Sequence, residues 1–347
     1  MLAEVAARPF EDEHSDILGP PVSSPNQMAP ANAALIDELD RIAPLLRPTP
    51  LVPVNVPGVH LFAKLEYANP VGSVKDRTAY WILRRAAERG DIDERSTIIE
   101  SSSGNFACAL AVYAKLLGLP FIPVVDPNIL PTYESFLRRL CATVVKVDVP
   151  DESGGYLKTR LRVVKELCDT TPHAFWTNQY GNLDGPDAHY RTTAEEICRD
   201  LPHLDYAFIG VSSGGTIAGM SRRLKEHFPE IKIIAVDAVG SAIFGGAPRT
   251  RHIPGLGAGI VSPLVSQAHI DDVVMISERA TAQACRDLLW QHGLLVGGSS
   301  GTAFAAAMQY TAARPVSPTP TAVFLCSDRG TPYLDTVFND EWITRLE

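Results

Sequence analysis

What this sequence lacks narrows its function before any motif is read. Its longest apolar stretches, Ala107 to Ala114 and Ala303 to Met308, fall well short of the ~20 residues that span a bilayer. A soluble protein with no membrane partner is expected. Lys/Arg-rich runs are absent and the formal net charge is -9, which argues against nucleic acid as a partner. The opening Met1-Leu2-Ala3-Glu4-Val5, followed by Arg8, Glu11, Asp12 and Glu13, has neither a basic leader nor a sustained apolar block, so a cytoplasmic location is expected. The cysteines Cys108, Cys141, Cys168, Cys198, Cys285 and Cys326 form no Cys-x-x-Cys pair, and nothing resembles His-Glu-x-x-His. Reduced thiols and no metal site are expected. No repeat of fixed period is visible.

What is present is an α/β pattern. With 347 residues, 46% of them hydrophobic, the chain is long enough for two domains. Residues 1–35, with Pro9, Pro20, Pro21, Pro25 and Pro30 among acidic residues and serines, read as a flexible tail. A short helix is expected from Asn32 to Ile42, where Leu35, Ile36, Leu39 and Ile42 recur at helical spacing, with Pro44 ending it. From Leu61 onward, short β-rich runs alternate with longer helical ones as far as Ala322 to Leu325. That alternation predicts two open, mostly parallel sheets flanked by helices, with a cleft between them.

Lys75 follows the turn Asn69-Pro70-Val71-Gly72 and stands in the first turn of a helix expected from about Ser73 to Arg89. In the first turn of a helix, the positive end of the macrodipole and partial burial both disfavour an ammonium. A neutral lysine amine is a nucleophile able to form a Schiff base with an aldehyde. Two strand-to-helix junctions are unusually well equipped for anions. One is Glu100-Ser101-Ser102-Ser103-Gly104-Asn105, with more hydroxyls than a helix cap needs. The other is Val211-Ser212-Ser213-Gly214-Gly215-Thr216, in which small residues let several backbone N–H groups converge. No Gly-Lys-Ser/Thr follows it, so triphosphate hydrolysis lacks its lysine. Gly255-Leu256-Gly257-Ala258-Gly259 follows Pro254 instead of a strand and reads as a permissive loop. Gly297-Gly298-Ser299-Ser300-Gly301 is read as preceding a helix from Thr302 to Thr311.

In this order, Asn-Pro-x-Gly-Ser-x-Lys-Asp-Arg, Ser-Ser-Gly-Asn, Ser-Gly-Gly-Thr and Gly-Gly-Ser-Ser-Gly resemble the fold-type II pyridoxal-phosphate enzymes of the cysteine synthase family, from Thr49 to Leu334. The resemblance implies pyridoxal 5'-phosphate as cofactor, with Lys75 as the Schiff-base lysine and Asn105 at the ring hydroxyl. Ser212, Ser213, Gly214, Gly215 and Thr216 would hold the phosphate, and Ser299 would face the pyridine nitrogen. It implies a domain of residues 56–185, smaller and mobile, and a larger one of 36–55 with 186–347. A homodimer acting on small amino-acid substrates is also implied. Further stretches, among them Gly154-Gly155-Tyr156-Leu157-Lys158-Thr159-Arg160 and Ser327-Asp328-Arg329-Gly330, resemble the branch of the family that joins O-phospho-L-serine to L-glutamate on the way to 2,3-diaminopropionate and siderophores. By position, Arg160, Tyr180 and Ser212 would then recognise substrate. Ser102, Ser103 and Gln179 stand where the α-carboxylate is held. For Arg160 the residues alone also allow a surface arginine on a helix. Synthesis of cysteine or S-sulfocysteine, from O-phosphoserine or O-acetylserine, is the alternative. Phe106, where ordinary cysteine synthases carry threonine, counts against it.

Overall fold

The computed structural model describes residues 32–152 and 154–346. The expected tail lies outside the described residues as far as position 31. Its boundary at 35 is corrected, because helix α1 already runs over Ala33–Ile42. The stripe Leu35, Leu39 and Ile42 is buried, and burying each such side chain contributes about 1.5–3 kcal/mol.

Two parallel-rich sheets form the framework, as the alternating pattern predicts. The six-stranded sheet has the order β1-β2-β10-β7-β8-β9. Its strands are β1 Leu51–Val54, β2 His60–Lys64, β7 Tyr206–Gly210, β8 Lys232–Ala238, β9 Asp272–Ile276 and β10 Thr321–Leu325. Only β1 is antiparallel to its neighbour. The four-stranded sheet, β5-β4-β3-β6, is wholly parallel. It is built from β3 Thr97–Ser101, β4 Phe121–Val125, β5 Val145–Lys146 and β6 Ala174–Trp176. Parallel strands need crossovers, and helices supply them. These are α2 Lys75–Arg89, α3 Asn105–Leu116, α4 Pro131–Leu140, α5 Leu157–Thr170, α6 Asp184–His189, α7 Glu195–Asp200, α8 Gly215–His227, α9 Glu278–His292 and α10 Gly298–Ala312.

The expected division of the chain needs two corrections. Strand β2 falls within the range assigned to the smaller unit, yet it pairs with β10 in the six-stranded sheet, Thr321 opposite His60. Helix α1, assigned mostly to the larger unit, buries its apolar stripe in one cluster with Tyr80, Leu83 and Leu110, on the side of the four-stranded sheet. Both follow from where each apolar face finds cover. Helix α10 also starts four residues earlier than expected, which puts Ser299 inside its first turn.

Beneath the start of α2 lies a closed set of buried charges. Arg77 donates to Glu66 through Nε at 2.7 Å and to Glu196 through Nη1 at 2.7 Å. Lys64 Nζ lies 2.7 Å from Glu196 Oε2 and donates to the Thr49 carbonyl. The Thr49 hydroxyl donates to Glu66 at 2.7 Å. Two cations face two carboxylates, and all four side chains are buried. Burial alone would raise the Glu66 carboxyl, but the Arg77 guanidinium beside it holds it below its ordinary value. The network ties the segment before β1, the end of β2, α2 and α7 together, and so anchors the helix that begins at Lys75.

Candidate active site

The carboxyl ends of β3, β4, β7 and β10 open onto a cleft of about 280 Å³. Its walls include Lys75, Ser102, Ser103, Asn105, Arg160, Gln179, Tyr180, Ser212, Ser213, Gly214, Thr216 and Ser299. Gly215 is the one sequence-derived candidate outside the wall. It is buried at the start of α8, where a Cβ would lie 3.8 Å from Gly185 and Pro186.

Lys75 is the first residue of α2, and Asp76 shapes the turn before it. The Asp76 carboxylate accepts from the backbone N–H of Val71 at 2.8 Å and of Ser73 at 3.0 Å, and from the Tyr113 hydroxyl at 2.9 Å. The Val74 N–H donates to the Ser327 carbonyl, which fastens the turn to the end of β10. Lys75 Nζ reaches Ser213 Oγ at 3.5 Å. Loss of water brings its pKa down to about 8, against a smaller upward pull from Glu100. Burial, one of the two effects expected from the sequence, thus eases loss of the ammonium proton.

The loop from Ser212 to Thr216 runs into α8 with Gly214 at φ +86°. A Cβ on Gly214 would lie 2.7 Å from the Val265 backbone nitrogen, so conformation and space both require glycine. The Thr216 hydroxyl lies 3.3 Å from His189 Nε2, which also meets the Thr78 hydroxyl at 3.0 Å. Burial keeps the His189 pKa well below its ordinary value, so the ring behind the loop is neutral. Sequence reading had no signal for His189, because its partners lie on α2, α8 and its own helix.

Across the cleft, Asn105 begins α3. Its Nδ2 donates to Asp328 Oδ2 at 2.8 Å, and its Oδ1 accepts from the Tyr133 hydroxyl at 2.7 Å. Ser299 sits in the first turn of α10. A Cβ on Gly255 (φ +107°) would fall 2.4 Å from Ser299 Oγ, so the permissive loop read from sequence leaves room at this hydroxyl.

The Ser102 hydroxyl accepts from the Ala107 N–H at 3.2 Å and stands beside the free N–H groups of the first turn of α3. Ser103 donates to Asp126 at 3.1 Å and accepts from Arg160 Nη1 at 3.2 Å. Arg160 also lies 3.2 Å from the Asp126 carboxylate. Arg160 therefore lines the cleft instead of lying on an exposed helix face. Gln179 Nε2 donates to the Ser101 carbonyl at 3.1 Å, joining the loops after β3 and β6. Beneath them, Glu100 accepts from the Thr177 hydroxyl at 2.6 Å and the Gln179 N–H at 3.2 Å. Burial pushes its pKa up to about 7. Glu100, Asp126, Tyr133 and Asp328 were not singled out from the sequence.

These residues fit pyridoxal phosphate. A desolvated amine suits its aldehyde, a glycine-shaped loop at a helix N-terminus suits its phosphate, and hydroxyl and carboxamide groups suit its ring. Among the described residues no group of three or more His, Cys, Asp or Glu could hold a metal ion. No helix among them is long and apolar enough to cross a membrane.

Comparison with known proteins agrees. The profile of the family described as "Pyridoxal-phosphate dependent enzyme" matches residues 42–328. N-(2-amino-2-carboxyethyl)-L-glutamate synthase of Ralstonia nicotianae is 44% identical over 287 residues, covering 82% of this chain and 84% of the relative. The protein of the same name from Cupriavidus metallidurans is 44% identical over 288 residues, with the same coverage. Among solved structures, the O-acetylserine dependent cystathionine beta-synthase of Helicobacter pylori matches with a TM-score of 0.79 and 32% identity, covering 86% of this chain and 97% of that one. A hydrogen sulfide-producing enzyme of Fusobacterium nucleatum matches with a TM-score of 0.79 and 30% identity, covering 86% and 99%. The chain is an α/β enzyme of fold type II and belongs to the family of pyridoxal-phosphate dependent enzymes.

Proposed function

We propose that this enzyme performs a β-replacement, joining O-phospho-L-serine to L-glutamate to give N-(2-amino-2-carboxyethyl)-L-glutamate and phosphate. The observation that carries the reading is the Arg160 guanidinium in the cleft wall beside Ser103 and Asp126. An amino-acid nucleophile brings carboxylates that call for a cation, whereas sulfide brings none. The names of the Ralstonia and Cupriavidus relatives support the same product.

In this reading Lys75 carries the cofactor, Ser212 to Thr216 hold its phosphate, and Asn105 and Ser299 hold its ring. The bound cofactor supplies an electron sink for the pair left at Cα, a weak one with Ser299 instead of a carboxylate at the ring nitrogen. Lys75 Nζ takes the Cα proton and later returns it, the part of a general base. Ser102, Ser103 and Gln179 hold the α-carboxylate of the first substrate. The Cβ–O bond to phosphate breaks, and the Cβ–N bond to the glutamate amine forms with loss of one amine proton. Arg160, Tyr180 and Ser212 orient the incoming amino acid. Movement of the unit built on the four-stranded sheet closes the cleft and excludes water.

We also propose a cytoplasmic homodimer whose product leads to 2,3-diaminopropionate and a siderophore. Six unpaired cysteines suit a reducing compartment. Synthesis of a sulfur amino acid is the second reading, favoured by the names of the Helicobacter and Fusobacterium structures. Phe106 in the cleft wall weighs against it. The test is product mass, with O-phospho-L-serine and O-acetyl-L-serine each offered alongside glutamate, sulfide and other amines. The glutamate adduct from O-phospho-L-serine is the expected product. A product with sulfide and none with glutamate overturns the reading. Arg160→Met should raise the KM for glutamate by about tenfold or more, the value of one charge-assisted pair.

A further inference from the structure

We propose that Asp328 is a positioning residue that holds the Asn105 carboxamide in one orientation and thereby decides which of its two polar ends faces the cofactor. The inference rests on the assignment of Asn105 to the cofactor ring.

Asn105 opens a helix that follows the four-stranded sheet, whereas Asp328 follows β10 of the six-stranded sheet. The 2.8 Å bond from Asn105 Nδ2 to Asp328 Oδ2 therefore crosses between the two. At the other end of the carboxamide, Oδ1 accepts from Tyr133 at 2.7 Å. Asp328 Oδ2 also accepts from the Tyr333 hydroxyl at 2.5 Å. With no proton on it, this oxygen can only accept from Asn105, so the amide nitrogen has to face it. Burial raises the Asp328 pKa, and Oδ1 is buried with no partner among the described residues, so a proton taken up there leaves Oδ2 an acceptor. The orientation of Asn105 is the same in either state. One N–H of Nδ2 is spent on Asp328, and the second is left for the cleft, where Asn105 forms part of the wall. Asn105 thus offers a donor to the ring oxygen of the cofactor. With the carboxamide turned over, a carbonyl would meet that oxygen and repel it.

Asp328 is itself held from two sides. Its backbone bridges to Ser73, two residues before Lys75. Its carbonyl accepts from the Gly297 N–H at 3.0 Å, two residues before Ser299. A Cβ on Gly297 would lie 2.2 Å from Asp328 Oδ1, so a missing side chain makes room for the carboxylate. The segments that carry the amine, the ring carboxamide and the ring-nitrogen hydroxyl meet at this residue.

The test is a double-mutant cycle read by the dissociation constant of pyridoxal phosphate from the apo-protein, followed by intrinsic fluorescence, and by the visible absorption of the resting holoenzyme. Asp328→Ala should weaken cofactor binding by about tenfold and shift the absorption band. In an Asn105→Ala background the same change should cost less than about twofold, because its effect runs through Asn105. Asp328→Asn keeps an acceptor in place and should restore affinity to within about threefold of the parent. Equal losses in both backgrounds, or losses as large for Asp328→Asn as for Asp328→Ala, overturn the proposal. If Asn105→Ala alone leaves affinity unchanged, the assignment of Asn105 to the ring fails instead, which is a distinct outcome. Should Asp328→Ala not fold, Tyr133→Phe removes the restraint at the other end of the carboxamide. It should weaken binding only where Asn105 is present, and an equal loss without Asn105 overturns the proposal.

Discussion

Helix α2 carries two cations two residues apart, and they keep opposite company. Arg77 points away from the cleft into a set of buried groups where each of its nitrogens has a carboxylate partner within 3.1 Å. Lys75 points into the cleft, where its amine meets the Ser213 hydroxyl at 3.5 Å. Burial acts on both, but it is outweighed only at Arg77, since Glu100 offsets little of it at Lys75, and the Arg77 pKa rises while that of Lys75 falls. A desolvated charge with full partners fixes the fold, and a desolvated charge without them is available for chemistry.

Substitutions can break this contrast. Lys75→Ala should lower turnover by at least about 10³-fold, in the range for loss of a proton-transferring group, while leaving the unfolding midpoint of the apo-protein unchanged or raised. Borohydride treatment of the wild type should label Lys75, and a label elsewhere would remove the contrast altogether. Arg77→Met should leave two buried carboxylates short of a cation and cost about 3–5 kcal/mol in urea unfolding. A loss under about 1 kcal/mol, the worth of an exposed pair, would show the network to be dispensable. Gly214→Ala, which places a methyl against Val265 in a left-handed backbone, should cost about 1–3 kcal/mol and weaken cofactor binding.

A subtler effect is in pH. The folded-state pKa of Lys75, about 8, lies below its ordinary 10.5. Between those values the unfolded chain binds a proton that the folded one does not, so this group makes apo-protein stability rise with pH across that window. Below pH 8 both states are protonated and the fold bears the whole cost. Lys75→Met should therefore be more stable than wild type below pH 8, with the gap narrowing toward pH 10.5. A gap independent of pH would contradict the unpaired state of the amine.

Much of the site was legible because it is built where strands end and helices begin, and such junctions demand particular residues. Gly214 answers to backbone geometry, Ser102 to free N–H groups, and Lys75 to the first turn of a helix. Tertiary pairing leaves no such trace. Asp328 meets Asn105 across 223 positions, and for the same reason Glu100 was read only as part of its junction and His189 not at all. The start of α10 was misplaced because Gly-Ser-Ser-Gly is a poor helix former. Packing decides it there, since a Cβ on Gly298 would lie 2.2 Å from Ile253 Cγ2. The assignment of β2 failed because adjacency in sequence to the small unit says nothing about which edge a strand joins.

That strand has a consequence for biosynthesis. His60 on β2 pairs with Thr321 on β10, so the central sheet cannot close until Thr321 has left the ribosome. The four-stranded sheet, by contrast, is complete once Trp176 has emerged. During translation β1 and β2 must wait as an apolar hairpin with one unsatisfied edge, the kind of surface to which chaperones bind and through which nascent chains aggregate.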